Sequence, residues 1–261
     1  SHIIHMSILT SLCLLSNYKF ISYAVCGRPT KQNENHFQRI IGGNDAGEHT
    51  IPWQALINVG DSRGGGMIIA DRWILTAAHV VTMNGQVQTP EIHLGRTDVH
   101  QILETPSLNV TAVHVHPQYN NPNGLNYDHD IALIKLKDPV TFEAAIMPLC
   151  LPSEDDRYDS GMIGAIGMVE QERCSDSLKL IPGSRKPILT DNMFCAGTPE
   201  GRKDSCQGDG GNGFTLQSED GRFWAAGIVS WGIKCGQKGT YGFYTKVANY
   251  VDWINKIMRE N

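Results

Sequence analysis

Asp204-Ser205-Cys206-Gln207-Gly208-Asp209-Gly210-Gly211-Asn212 is the stretch on which the reading of this chain turns. It departs from the loop pattern GDSGG at Gly210, where that pattern has a serine, and again at Asn212, where the pattern continues with glycine. The loop is kept and its hydroxyl is absent. No atom of a glycine can attack a carbonyl carbon the way an activated hydroxyl does, so this position decides what chemistry the loop can perform.

Working outward, the segment LTAAH ends in His79 and the segment DHDIAL supplies Asp130. The order His, Asp, then a glycine-rich loop is that of one class of serine hydrolases. An imidazole held by a buried carboxylate is fixed in the tautomer that accepts a hydroxyl proton, and the carboxylate stabilises the imidazolium that forms. Asp128 competes with Asp130 for the role, but Asp130 directly precedes the apolar run 131–136. His114 and His116 could be drawn as a metal pair; a β segment that turns at Pro117 is the preferred reading, and neither metal nor cofactor is expected.

The 261 residues are 41% hydrophobic and 19% charged, enough apolar material for a large core. A net charge of -5 without a long Lys/Arg run gives no electrostatic footprint for nucleic acid or an anionic membrane, so both are set aside as partners. Seven cysteines, none with CxxC spacing, favour structural disulfides and an oxidising, extracellular compartment. The sequon at Asn109 agrees with secretion. Residues 1–25 read as a weak leader or the stub of a longer multidomain precursor, with Cys13 as the odd thiol, and no stretch has the apolar length of a membrane span.

Short β-rich segments are expected at 53–59, 73–76, 91–94, 110–115, 131–136, 223–231 and 241–247, separated by Gly, Pro and Asn turns, a cadence that predicts an all-β fold. Val247, Tyr250, Val251, Ile254, Ile257 and Met258 recur at helical spacing, which predicts a closing amphipathic helix.

Four further stretches, Arg39-Ile40-Ile41-Gly42-Gly43, Pro52-Trp53-Gln54, Pro148-Leu149-Cys150-Leu151-Pro152 and Val229-Ser230-Trp231-Gly232, join His79, Asp130 and the glycine loop. Together they resemble the trypsin-like serine protease family over residues 39–259. Gly64-Gly65-Gly66 and Val80 stand where family members usually carry a disulfide, and Cys26 can pair with Cys150, as in the complement-initiating proteases. The resemblance implies two antiparallel β-barrels, a stub and an activation segment (1–25 and 26–39) and a protease domain at 40–261. It implies substrate recognition by Asp204 in a pocket walled by Gly232 and Gly242, which would take an Arg or Lys side chain. Oxyanion stabilisation would come from the N–H groups of Gly208 and Gly210. Cleavage after Arg39 would free the amine of Ile40 to pair with Asp209.

Two departures stand against activity. Gly210 removes the nucleophile, and Ser205 cannot replace it because the family pattern puts it in the pocket wall. Between Gly164 and Cys174 roughly a dozen or more residues are missing, about two strands and a turn, so the second barrel should be weaker, rewired or open near 165–190. The implied disulfides there are Cys174 with Cys195 and Cys206 with Cys235. Alternatively, 177–182 is a strand, Cys174 is displaced and Cys195 is unpaired. The sequence therefore predicts a secreted pseudoprotease that binds an extracellular protein, complement components among the candidates. The second reading is an endopeptidase of complement activation cleaving after Arg or Lys, its serine and strand lost from this sequence through a gene-model, splicing or engineering change.

Overall fold

The computed structural model describes residues 26–31, 47–153, 156, 158, 167–201, 208–233 and 235–261. The leader, Cys13, Arg39, Ile40, Asp204 and Cys206 lie outside them.

The first half of the chain builds strands β1 (Gln54–Val59), β2 (Ser62–Ala70), β3 (Trp73–Thr76), β4 (Thr82–Met83), β5 (Gln86–Val87), β6 (Glu91–Leu94), β7 (Val110–Val115) and β8 (Ala132–Leu136). Six of them pair antiparallel in the order β6-β1-β2-β3-β8-β7. A bridge between Ile92 of β6 and Leu108, just before β7, curls the sheet until its two ends meet. Alternation along β1 sends Ala55, Ile57 and Val59 inward, where they pack with Ile68, Ile74, Ile92 and Ile134. The small pair β4 and β5 stands apart as a hairpin beside His79.

The second half supplies β9 (Met168–Val169), β10 (Met193–Ala196), β11 (Gly213–Gln217), β12 (Phe223–Gly232) and β13 (Gly242–Lys246). Their order is β11-β12-β13-β10-β9, and among the described residues its two outer strands do not pair with each other. Of the outcomes expected for the second barrel, weaker, rewired or open, the described residues show an open, five-stranded curled sheet whose outer strand β9 is two residues long. Phe194, Phe214 and Tyr244 pack ring against ring over it. The chain after β9 runs into α2 (Gln171–Ser177) and a short 3-10 turn (Leu178–Leu180), so 177–182 is not a strand. Cys174 instead bonds to Cys195 on β10 and staples this replacement segment to the sheet.

The remaining helices are α1 (Val99–Leu103), capped by the Asp98 carboxylate accepting from the N–H groups of His100 and Gln101, and α3 (Val251–Glu260). A 3-10 turn, Val247–Tyr250, leads into α3, so the apolar spacing read in the sequence spans two kinds of helix. Ile254 of α3 and Val247 pack with Trp53, Met67, Leu75 and Ile228 in the seam between the two sheets. Cys26 bonds to Cys150, and Gly27 donates its N–H to the Pro148 carbonyl while its own carbonyl accepts from the Phe223 N–H. The segment 26–31 is thereby laid against the start of β12.

Candidate functional site

Antiparallel pairing of β3 with β8 sets Thr76 opposite Ala132. His79 follows that point by three residues, in a single 3-10 turn (Ala78–Val80), and Asp130 precedes it by two, so the register alone carries both to the same end of the sheet. The Ile131 N–H donates back to the His129 carbonyl across a tight turn centred on Asp130. His129 takes a left-handed backbone conformation, φ 56°, of the kind L-residues avoid without support from their surroundings.

Asp130 is fully buried. One carboxylate oxygen accepts from the His79 backbone N–H at 2.8 Å, and the other lies 2.7 Å from His79 Nδ1. The second oxygen also accepts from Ser230 Oγ on β12 at 2.5 Å, and Thr245 Oγ1 on β13 donates to the Asp130 carbonyl at 3.0 Å. The Ser230 hydroxyl of the second sheet thus joins the His79 N–H groups in satisfying the acid of the first, which is how a buried carboxylate is tolerated, while Thr245 holds its main chain. Burial pushes the His79 pKa down, but the Asp130 charge and its hydrogen bond to the ring more than offset this and leave the pKa raised. With Nδ1 committed to Asp130, the remaining ring nitrogen, Nε2, is free to act.

The loop 208–212 is clamped between the sheets. Gly65 N–H donates to the Gly210 carbonyl, Gly211 N–H to Val229, and Val229 N–H to the Asn212 carbonyl. Gly211 has φ 82°, and a β-carbon there would fall 2.3 Å from the Gly65 carbonyl oxygen and 2.4 Å from Thr76 Oγ1, so glycine is required. Gly210 is a different case. A β-carbon on it would lie 2.5 Å from His79 Nε2 and 3.1 Å from Cε1: the imidazole stands over the α-carbon in room that any side chain would need. Asn212, the other departure in this loop, accepts from Gln54 Nε2 through Oδ1 at 2.6 Å.

His79, Gly208, Gly210, Trp231, Gly232 and Tyr127 line one cleft of about 1240 Å³. Gly232 and Gly242 face each other across β12 and β13, with 4.0 Å between a β-carbon position on Gly232 and the Gly242 α-carbon. Tyr127 stacks on Trp231, which stacks on Phe243 with ring centres 3.8 Å apart, giving the cleft a flat aromatic wall. The structure thus brings His79, Asp130, Gly208, Gly210 and Gly232 to one place and sets Gly242 behind Gly232. Cys235 lines the cleft and is disulfide-bonded.

Other candidates are placed elsewhere. Asp128 accepts from Thr190 Oγ1 and Asn192 Nδ2 and pairs with His129 at 3.4 Å, tying the Asp130 turn to the loop before β10. His114 packs on Trp73. His116 stacks on His129, and the two rings meet Tyr250 and, for His116, Trp253 at the C-terminal helix. Asn109 is exposed. A β-carbon on Gly64 would touch Val80 Cγ1 at 2.7 Å, so the two residues standing at the absent disulfide face each other, with the valine methyls filling the gap. Ser230 and Thr245 were not singled out in the sequence for this role; the only signal is a hydroxyl residue within an otherwise apolar strand.

The trypsin family model matches residues 40–254. The chain is 37% identical to the mouse (Mus musculus) complement C1r-A subcomponent over 90% of its own length and 36% of that protein. It is 38% identical to the rat (Rattus norvegicus) complement C1s subcomponent, over 91% of this chain and 38% of the relative. A calcium-dependent serine proteinase of the hamster Mesocricetus auratus is also 38% identical, over 91% of this chain and 37% of the relative. The chain spans well under half the length of these relatives. Two sheets meeting at a His79–Asp130 pair, and a family match running from residue 40 to residue 254, place this chain in the trypsin family of serine proteases.

Proposed function

We propose that this chain is a secreted pseudoprotease of the complement type, which keeps the protease cleft to bind a protein partner and has lost the chemistry. The observation that carries the reading is at residue 210: with hydrogen as the side chain, no acyl adduct can form, and a β-carbon there would lie 2.5 Å from His79 Nε2. The bound partner would present an Arg or Lys side chain to Asp204, between Gly232 and Gly242. The N–H groups of Gly208 and Gly210 would remain as donors, and cleavage after Arg39 with pairing of Ile40 and Asp209 would order the cleft. The Cys26–Cys150 and Cys174–Cys195 bonds suit an extracellular compartment, as would a glycan on Asn109. A complement component as partner rests on the named relatives.

The test is direct. Chain cleaved after Arg39 is offered an arginine ester and a serine-directed phosphonylating reagent; neither turnover above background nor covalent labelling is expected. Labelling at the glycine loop, or hydrolysis at protease rates, would sink the proposal. Gly210→Ser alone should restore little, because its β-carbon enters the space now held by the imidazole.

A further inference from the structure

Among the described residues, His79 Nε2 has no hydrogen-bond partner, although Nδ1 is fully committed to Asp130. In a site with a hydroxyl at residue 210 that nitrogen would face the hydroxyl oxygen. Here it faces the cleft across a bare α-carbon. The Asp209 carbonyl accepts from the Asn212 N–H at 3.0 Å, and no peptide bond among the described residues is cis, so the N–H of Gly210, on the other side of the same peptide, leaves that turn in the opposite direction. Gly208, φ 95°, borders the same cleft with nothing within 4 Å of its β-carbon position. Among the described residues, the ring nitrogen of His79 and the glycines 208 and 210 therefore border one space, with the Gly210 N–H turned away from the Asp209–Asn212 hydrogen bond.

We infer that this centre is a receptor for a free C-terminal carboxylate, that of a chain ending in Arg or Lys such as trypsin-like cleavage produces. The inference rests on the binding role proposed above and names its ligand more narrowly. A carboxylate carries two oxygens at a separation that lets one meet the imidazole and the other the backbone N–H groups, both as charge-assisted hydrogen bonds. Where a serine is present, its oxygen lies between ring and ligand and competes for the same proton; glycine removes that competitor. An internal peptide bond or an amide end offers one neutral acceptor and leaves the ring without an anionic partner.

The raised pKa of His79 supports the same direction, since a protonated ring is the stronger donor to an anion. The ionisable groups facing it are Asp130 and the phenols of Tyr127 and Tyr119, both held protonated by burial. His116 lines the same cleft and is pushed towards its neutral form by burial and by His129. Binding of the carboxylate should accordingly weaken as pH rises through the His79 pKa.

Calorimetry with a tetrapeptide ending in arginine, once as the free acid and once as the amide, tests this on the full chain, intact and cleaved after Arg39. The acid should bind at least tenfold more tightly than the amide at pH 6, in one form or both, and the advantage should shrink at pH 9. His79→Gln should abolish the pH dependence while circular dichroism stays unchanged. Equal binding of acid and amide would overturn the carboxylate inference and leave the binding role standing. Absence of binding by both peptides in both forms would overturn both readings. An acid preference that survives unchanged in His79→Gln would remove the imidazole from the account.

Discussion

The two sheets solve one problem differently. The first closes on itself through the Ile92–Leu108 bridge, and opposite the loop Val80 and Gly64 face each other with no covalent bond between them. The second stays open, ends in a two-residue strand and relies on Cys174–Cys195 to hold the substituted segment. Closure removes edges, so a sheet that closes can dispense with a covalent staple, while an open one gains from it. One buried polar contact between them is at Asp130, whose carboxylate accepts from Ser230 and whose main-chain carbonyl accepts from Thr245, both on the open sheet.

The largest expected effect comes from breaking that contact. Asp130→Ala leaves Ser230 and the His79 N–H groups without their acceptor and should cost about 3–5 kcal/mol in urea unfolding. A cost near zero would mean that the sheets do not depend on each other there. In Asp130→Asn the His79 pKa, followed by proton NMR, should fall. The sign for stability follows from the raised native pKa: the stabilisation from the charged pair is fully present below the unfolded value of about 6.5 and is lost as pH rises through the higher folded value.

Next in size, Cys174→Ser with Cys195→Ser should destabilise by about 3 kcal/mol on loop-closure arguments. Hydrogen exchange should then quicken in β9, β10 and α2 while β1, β2 and β3 keep their protection. Uniform loss across both sheets would erase the distinction drawn above. The converse experiment adds a staple to the closed sheet. Gly64→Cys with Val80→Cys should make the oxidised form more stable than the reduced one by roughly 2 kcal/mol, somewhat below the loop-entropy figure because a β-carbon at 64 also comes within 2.9 Å of the Gly210 carbonyl oxygen. No difference between the two redox forms would show that the closed sheet gains nothing there. Smallest of all, Asn212→Ala removes one half-buried hydrogen bond to Gln54 and should cost about 1 kcal/mol, read as a small shift of the urea midpoint.

Much of the closed sheet was legible because its strands alternate or run apolar: 73–76, 91–94 and 110–115 coincide with β3, β6 and β7, and 131–136 begins one residue before β8. Strand β2 was missed, although it is the longest of that sheet, because Gly64-Gly65-Gly66 contribute no side-chain pattern; their burial comes from what packs onto them. In the open sheet β10 and β11 are four and five residues long and carry Cys, Gly and Gln among their apolar residues, too little for periodicity to register. The site was legible as His79, Asp130 and the glycine loop because each sits in a motif. The hydroxyls of Ser230 and Thr245 were not, since their partner is a hundred residues or more away and only the packing of one sheet on the other brings them together.

The stacked rings of His116 and His129, closed over by Tyr250 and Trp253, give the tail of the chain a say in the geometry of the dyad. His129 is the immediate neighbour of Asp130 and sits in an unfavourable backbone state that Tyr250 helps to hold. Fraying of the last helix therefore amounts to slackening a clasp on the carboxylate: the imidazole resonances of His79 should report a loosened C-terminus well before the sheets themselves come apart.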